Sequence, residues 1–229
     1  MKIHGLQKLT LLDFPGTTAC TVFLAGCNLR CPFCHNWELV DGSAPALMDD
    51  TEFLAFLKKR QGLLEGVAVT GGEPLLQREL PEFLRAIRDL GYRIKLDTNG
   101  TNPEALSRVL DEGLADYVAM DIKNSPERYA HTCGVTTLDL GRVEESMQLL
   151  RTKAPDYELR TTVVAQLHDE DSFQAIGPWI EGAKRYFLQA FADRDTVPFA
   201  GFSAPSREEM ERYLEIVKRY VPAAELRGV

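Results

Sequence analysis

Three cysteines fall within eight consecutive residues of the segment GCNLRCPFCHN, at Cys27, Cys31 and Cys34. Three residues separate the first pair, and two separate the second. Thiolates are soft ligands that select iron-sulfur clusters, zinc or copper(I) over hard cations. A disulfide framework would spread its cysteines through the chain, so this group indicates metal ligation.

The spacing of these cysteines suits a cubane iron-sulfur cluster. A loop of this kind can wrap three corners of the cluster and leave the fourth iron without a protein ligand. Such an open iron can chelate the amino and carboxylate groups of S-adenosylmethionine, which brings the sulfonium close enough to receive one electron. The alternative is a zinc site with His35 or Cys20 as the fourth ligand. Adjacent Cys34 and His35 would chelate one tetrahedral ion awkwardly, so the cluster is favoured.

The C-x3-C-x2-C spacing, with an aromatic residue before the third cysteine, resembles the signature of the radical S-adenosylmethionine (SAM) superfamily. The resemblance implies a 4Fe-4S cluster and S-adenosylmethionine as cofactors, with Cys27, Cys31 and Cys34 as the cluster ligands. It also implies that Phe33 packs against the adenine.

The segment TGGEP, residues 70 to 74, lies one predicted strand after the cysteine loop. Glycines without side chains let a ligand approach the backbone closely, although a tight turn before a helix has the same composition. The segment resembles the GGE motif of the superfamily. That resemblance implies that Gly71, Gly72 and Glu73 contact the cofactor, with Gly72 and Glu73 at its methionyl amino group.

Two later segments, DTNG and MDIK, are similar to those of the glycyl radical enzyme activases, which include the activator of pyruvate formate-lyase. The similarity implies that Asp121 and Lys123 address the methionyl end of the cofactor. Asp97, Thr98 and Asp121 match residues linked in those activases to a monovalent cation beside the sulfonium. The alternative, on turn propensities, is that Asp97 and Thr98 only form a turn.

The resemblance to the activases extends to the loop after the third cysteine, where His35 and Asn36 match a family HN pair and are expected to contact the cofactor. The sequence departs from the pyruvate formate-lyase activator at Phe191, which replaces a ribose-binding histidine. Gln189 is the candidate polar substitute for that contact.

Hydrophobic periodicity predicts six alternating strand and helix units to carry these motifs. This alternation indicates an α/β fold in one domain over residues 1–229, a partial (β/α)6 TIM-like barrel with a curved parallel sheet. Cys20 alternates with Val22 and Leu24 on one strand face and is expected in the core. Cys133 receives no role. The predicted strands are 18–24, 66–70, 92–97, 117–121, 158–164 and 185–191, and the predicted helices include 49–57, 142–150 and 171–180.

The polar motifs each follow the carboxyl end of a predicted strand. In parallel α/β sheets these ends share one edge, where ligands bind. We therefore expect the CNLRCPFCHN, TGGEP, DTNG and DIKN segments to converge on one mouth.

Bulk composition excludes several function classes. The 229 residues are 45% hydrophobic and 26% charged, as in an ordinary globular protein. The net charge of -8 argues against broad nucleic-acid binding, which usually needs a basic face. The amino terminus lacks the apolar core of a signal peptide, and no segment is long enough to span a bilayer, so we expect a cytoplasmic protein without a membrane partner.

The segments GLQKLTLLDFPG, GCNLRCPFCHN and ELRGV resemble the longer anaerobic ribonucleoside-triphosphate reductase activating proteins. Those proteins use a deoxyadenosyl radical to abstract hydrogen from a glycine of the reductase. The resemblance implies a glycyl radical enzyme as the protein substrate and a low-potential electron donor such as flavodoxin or ferredoxin. Three alternatives stay open: a pyruvate formate-lyase activase, a radical enzyme acting on a small molecule such as a deazapurine precursor, and a zinc-stabilised binding module.

Overall fold

A mostly parallel sheet of eight strands forms the centre of the computed structural model, which describes residues Met1 to Val229. The strands in chain order are β1 (Lys2–Ile3), β2 (Gly5–Thr10), β3 (Ala19–Leu24), β4 (Met48–Asp49), β5 (Gly66–Gly71), β6 (Arg93–Thr98), β7 (Tyr117–Asp121), β8 (Tyr157–Val163), β9 (Tyr186–Ala190) and β10 (Ala224–Arg227). The sheet runs β10-β9-β8-β7-β6-β5-β3-β2, and only the β2–β3 pair is antiparallel. Because β2 and β10 are unpaired edges, the sheet is open, while β1 and β4 form a separate two-stranded ribbon.

Eight helices accompany the strands. They are α1 (Trp37–Asp41), α2 (Asp50–Lys58), α3 (Leu80–Asp89), α4 (Pro103–Asp111), α5 (Tyr129–Thr132), α6 (Leu140–Lys153), α7 (Glu170–Trp179) and α8 (Arg207–Lys218). The sequences Asp49-x-x-Glu52 and Ser206-x-x-Glu209 predict capping boxes. Both boxes are present, and they satisfy free amide groups at the starts of α2 and α8. None of the helices has the length and apolarity that crossing a bilayer would need.

The two faces of the sheet differ in chemistry. On one face, residues such as Val69, Leu96 and Val118 belong to a single apolar core of 50 buried residues that includes the inner faces of the helices. Side chains alternate across a strand, so their chain neighbours point the other way. Those neighbours are largely polar, with Lys95 and Asp97 on β6 as examples. The polar face is therefore available to build a site.

The predicted fold class is confirmed, and each of the six predicted strands agrees with β3 or one of β5 to β9 within one residue at each end. The sequence did not predict β2 or β10. Three successive exposed residues interrupt the alternation in β2, and β10 is only four residues long with one of them buried. The helices α1 and α5 also went unpredicted, since five and four residues are too short to display helical periodicity.

A buried ion pair ties β10 to the interior of the sheet. Both terminal nitrogens of the Arg227 guanidinium donate to Glu158 on β8, at 2.7 and 2.8 Å, and the Tyr117 hydroxyl donates to the same carboxylate at 2.6 Å. The Glu158 side chain is 1% exposed. Burial alone would raise the pKa of Glu158, but the Arg227 and Tyr117 hydrogen bonds hold that pKa below its usual value.

We predict that Arg227→Met lowers the free energy of unfolding of the cluster-free protein by about 3 kcal/mol, because it leaves a buried carboxylate uncompensated. The value lies at the low end for a buried pair, since the Arg227 side chain is one-third exposed. Urea unfolding at pH 7 measures the loss. The double variant Arg227→Met/Glu158→Gln removes the uncompensated charge and should regain part of it. Equal stabilities for wild type and Arg227→Met would contradict this account of β10.

Candidate active site

A cavity of about 310 Å³ lies at the carboxyl ends of the parallel strands. Strands β3, β5, β6, β7, β8 and β9 all contribute to its wall, so the four motif loops do meet at one mouth. All of the predicted site residues line this cavity except Glu73. The lining residues that the sequence predicted are Cys27, Cys31, Phe33, Cys34, His35, Asn36, Gly71, Gly72, Asp97, Thr98, Asp121, Lys123 and Gln189.

The three clustered cysteines face the cavity from the loop that follows β3. Cys31 is buried, and Cys27 and Cys34 are partly buried. Burial raises the pKa of Cys27 to about 11 and also raises that of Cys34. All five cysteines of the chain are free thiols, and no group of three or more His, Cys, Asp or Glu side chains is arranged around a single metal ion.

The two residues considered as a fourth zinc ligand are placed differently. Cys20 is fully buried in the apolar core, on the face of β3 opposite the cavity, as the strand alternation predicted. His35 lines the cavity, but its Nε2 lies 2.6 Å from the Ala192 carbonyl oxygen, and its ring stacks on Phe191 at 5.3 Å. Neither side chain completes a ligand set with the three clustered thiols.

The glycine pair after β5 brings two loops into backbone contact. A Cβ atom at Gly71, where φ is +124°, would lie 2.1 Å from the Leu24 carbonyl oxygen, and one at Gly72 would lie 2.1 Å from the Gly26 carbonyl oxygen. The amides of Gly72 and Glu73 donate to Leu24 and Gly26, each at 2.8 Å. Because they lack side chains, the two glycines let the cysteine loop pack directly against this turn. The sequence interpretation did not include this role.

Glu73 lies behind the cavity wall and is 1% exposed. Its carboxylate accepts hydrogen bonds from the Leu75 amide at 3.0 Å, the Thr98 hydroxyl at 2.9 Å and the Asn99 amide at 2.6 Å. Burial raises the pKa of Glu73 to about 7 despite these three donors. The carboxylate thus joins the TGGEP turn to the DTNG turn, and its contact with a cofactor stays a prediction.

A partly buried ionic network crosses the floor of the cavity. The Arg160 guanidinium donates to Asp121 at 2.5 Å and to Asp97 at 3.1 Å. Lys123 donates to Asp121 at 2.8 Å, and Lys95 pairs with Asp97. Burial opposes ionisation of Asp97 and Asp121, but the neighbouring cations hold both pKa values below the usual range.

This network bears on the predicted cation site. Asp97 and Asp121 are paired with cations of the protein, and Thr98 donates its hydroxyl to Glu73. A monovalent cation at these residues would have to share them with Arg160. The sequence interpretation did not include Arg160, although Arg160 and Glu158 are the two charged side chains in the otherwise apolar and hydroxylated strand ELRTTVV.

The cavity has an aromatic end near the cysteine loop. Phe33 lines this end and is 4% exposed. Asn36 donates its side-chain amide to the Gly71 carbonyl at 3.1 Å, and Gln189 at the end of β9 faces the cavity. Phe191, which follows β9, packs on His35 and is apolar. Gln189 is therefore the polar side chain of β9 that lines the cavity. The sequence interpretation also did not include Asp13 or Asn99, which line the cavity from loops where no periodicity marks them.

Known proteins and a known protein family match this chain over most of its length. The model of the radical SAM superfamily matches residues 21–173. A protein of Methanocaldococcus jannaschii, provisionally named a glycyl-radical enzyme activating enzyme, is 26% identical over 99% of this chain and 96% of its own length. The pyruvate formate-lyase 1-activating enzyme of Escherichia coli is 28% identical, covering 96% of each chain. The 7-carboxy-7-deazaguanine synthase of Hyperthermus butylicus is 42% identical, but over only 39% of this chain and 38% of its own length.

Solved structures agree on the fold. A domain of a pyruvate-formate lyase-activating enzyme from Bacteroides vulgatus superposes with a TM-score of 0.57 at 20% identity, covering 71% of this chain and 99% of that domain. The superfamily match covers well over half of the 229 residues and spans the cysteine loop and three further cavity motifs. The chain therefore belongs to the radical SAM superfamily.

Proposed function

We propose that this radical SAM enzyme activates a glycyl radical enzyme by abstracting hydrogen from one of its glycines. The observation that carries the proposal is the similarity to activating enzymes from end to end, over 96% and 99% of this chain. The deazaguanine synthase, which would favour a small-molecule substrate, matches only 39% of it. A protein substrate is therefore the better supported of the two.

Membership of the superfamily implies a 4Fe-4S cluster and S-adenosylmethionine as cofactors. The cavity fits them, because three thiols face it and neither of the other two cysteines lines it. We propose that Cys27, Cys31 and Cys34 hold the cluster and leave one iron free of protein ligands. When bound, the cluster supplies the single electron that cleaves S-adenosylmethionine.

The remaining lining residues orient the cofactor in this proposal. Lys123 and Asp121 address the methionyl end, Gly72 and Glu73 lie toward its amino group, and Phe33 packs against the adenine. Gln189 is the candidate contact for the ribose, and His35 and Asn36 offer further polar contacts to the cofactor. Lys123 and Arg160 are the two cations that line the cavity, and they pair there with Asp121 and Asp97. In this proposal they face the methionyl carboxylate.

A protein substrate suits the open side of the sheet. The cavity reaches Asp13, in the loop after edge strand β2, where Thr21 donates its hydroxyl to the Asp13 carboxylate at 2.5 Å. The sheet does not close between β2 and β10. In this proposal an extended loop of a partner protein approaches the cavity from the open side of the sheet.

Among glycyl radical enzymes, we propose anaerobic ribonucleoside-triphosphate reductase as the partner, with pyruvate formate-lyase as the second candidate. The segments GLQKLTLLDFPG, GCNLRCPFCHN and ELRGV support the reductase. The Escherichia coli relative supports the lyase. A low-potential protein such as flavodoxin or ferredoxin would supply the electron.

We predict that Cys27→Ala, Cys31→Ala and Cys34→Ala each reduce cleavage of S-adenosylmethionine to the level of the cluster-free protein, because a cluster with two protein ligands is not retained. Anaerobic incubation with dithionite, followed by chromatography of the methionine and deoxyadenosine formed, measures the activity. Cys20→Ser is the matched control, since that thiol lies on the opposite face of β3. Retained cleavage in any one of the three alanine variants would contradict the ligand assignment.

We also predict a glycyl radical on the partner. The enzyme, dithionite and S-adenosylmethionine are incubated anaerobically with either the reductase or the lyase, and paramagnetic resonance detects the radical. The signal should appear on the reductase and be absent when its radical-bearing glycine is replaced by alanine. A signal on the lyase alone would reassign the partner, and cofactor cleavage with no signal on either protein would favour a small-molecule substrate.

A further inference from the structure

His168 is a buried histidine that does not line the cavity but contacts a residue that does. Its Nε2 lies 2.8 Å from the carbonyl oxygen of Lys123, and the Val164 amide donates to its Nδ1 at 3.1 Å. The Val164 carbonyl oxygen, 3.2 Å from Nδ1, already accepts from the amides of Leu167 and His168. Since an amide only donates and a carbonyl only accepts, Nδ1 is the acceptor and Nε2–H donates to Lys123.

A second side chain joins the same two segments in the opposite direction. Asn124, which follows Lys123 and is fully buried, donates its amide to the Leu167 carbonyl and to the Thr132 hydroxyl, each at 2.8 Å. Asn124 lies after β7 and His168 lies after β8, so each loop donates one side-chain bond to the backbone of the other. We call this reciprocal pair of bonds the β7–β8 clamp.

The β7–β8 clamp acts where the sheet no longer fixes the backbone. The pairing of the two strands ends with Asp121 beside Arg160, and the Ile122 amide adds one more bond, to the Arg160 carbonyl at 2.8 Å. Lys123 follows in a segment without regular structure. Buried backbone groups need partners, and a long side chain can reach only as far as its backbone allows. The His168 bond therefore fixes the point from which Lys123 extends into the cavity.

We propose that His168 is a positioning residue, which holds Lys123 where its ammonium group binds the methionyl carboxylate of S-adenosylmethionine. The inference rests on the role of Lys123 in the proposed function, and His168 itself touches no cofactor. The Lys123 ammonium already pairs with Asp121 at 2.8 Å, so a shift of the Lys123 backbone changes what it can offer a ligand. Groups fixed before binding lose less freedom on binding. Loss of the His168 bond should therefore weaken cofactor binding and leave the cluster in place.

Two substitutions separate the two nitrogens of the His168 ring. His168→Gln places an amide nitrogen close to Nε2 and keeps a donor for Lys123, whereas His168→Asn keeps a polar atom near Nδ1 and loses that donor. Each protein is reconstituted anaerobically, its iron and sulfide are counted, and equilibrium dialysis with labelled S-adenosylmethionine measures the Kd without a reductant. We expect full iron content in both variants and a wild-type Kd for His168→Gln. For His168→Asn we expect a Kd raised about tenfold, as for one lost hydrogen bond between charged groups.

A double-mutant cycle tests whether the effect passes through Lys123. Lys123→Met removes the ammonium group and should raise the Kd by itself. If His168 acts through Lys123, the His168→Asn/Lys123→Met variant binds no more weakly than Lys123→Met alone. Fully additive losses would mean that His168 acts by another route, which would overturn the proposal.

Tyr92→Phe is the matched control. It removes another buried side-chain bond to a carbonyl, the one to Leu57 at 2.7 Å, from a residue that does not line the cavity. Its Kd should equal that of the wild type. A Kd raised as much as in His168→Asn would mean that any lost buried bond weakens the site, and the specific role of His168 would be wrong.

Nitrogen NMR of the imidazole rings decides if His168→Asn does not fold. The experiment uses the wild-type protein with its oxidised cluster, and the His168 signals are those of the four histidines that disappear in His168→Gln. A proton on Nε2 and none on Nδ1 is expected at pH 7. A proton on Nδ1 would leave no donor arrangement as described and would contradict the proposal.

Failure of the proposed function has a different signature. If Lys123→Met keeps the wild-type Kd, the proposed role of Lys123 is wrong and the inference falls with it. If Lys123→Met weakens binding but His168→Asn does not, or if both His168 variants weaken it equally, only the inference is wrong. A glycyl radical found on neither candidate partner would overturn the proposed activation, and these Kd values would still decide the role of His168.

Discussion

The backbone of the TGGEP turn packs directly against the start of the cysteine loop, and the position of the thiols depends on this contact. Gly71 and Gly72 stand where any side chain would overlap Leu24 or Gly26. Two amide hydrogen bonds close this contact, and the Glu73 carboxylate extends it to Thr98 and Asn99. One buried residue thereby links the loops after β3, β5 and β6. Thiols carried on a loop acquire the fixed positions that catalytic groups need.

Charge compensation is the second requirement of the cavity. Charged side chains on a buried sheet face are costly unless each is paired. Arg160 satisfies this condition for two carboxylates at once, and Lys95 and Lys123 occupy the remaining oxygen atoms. The charges of the floor are therefore compensated within the protein itself.

Sequence reasoning succeeded where the signal is local. The strands β3 and β5 to β9 each carry enough alternating apolar residues to be located, and the capping boxes follow from residues three apart. The thiol spacing alone indicated soft-metal chemistry but left zinc open, and the identity of the cofactor came from resemblance. Arg160 and Asn99 were missed, because their importance comes from partners 63 and 72 residues away in the chain. No local pattern encodes such bonds.

The two unpredicted strands, β2 and β10, border the open side of the sheet, and the same physical feature explains both facts. A strand at an edge is bonded on one side only and need not alternate between core and solvent, so its sequence is weakly patterned. Side chains that reach the polar face hold these edges in place, through Asp13 with Thr21 near β2 and Arg227 with Glu158 at β10. Because these bonds are internal, the gap between the edges needs no further strand to remain stable. An open side that is stable when empty is what an enzyme requires if its substrate is a loop of another folded protein.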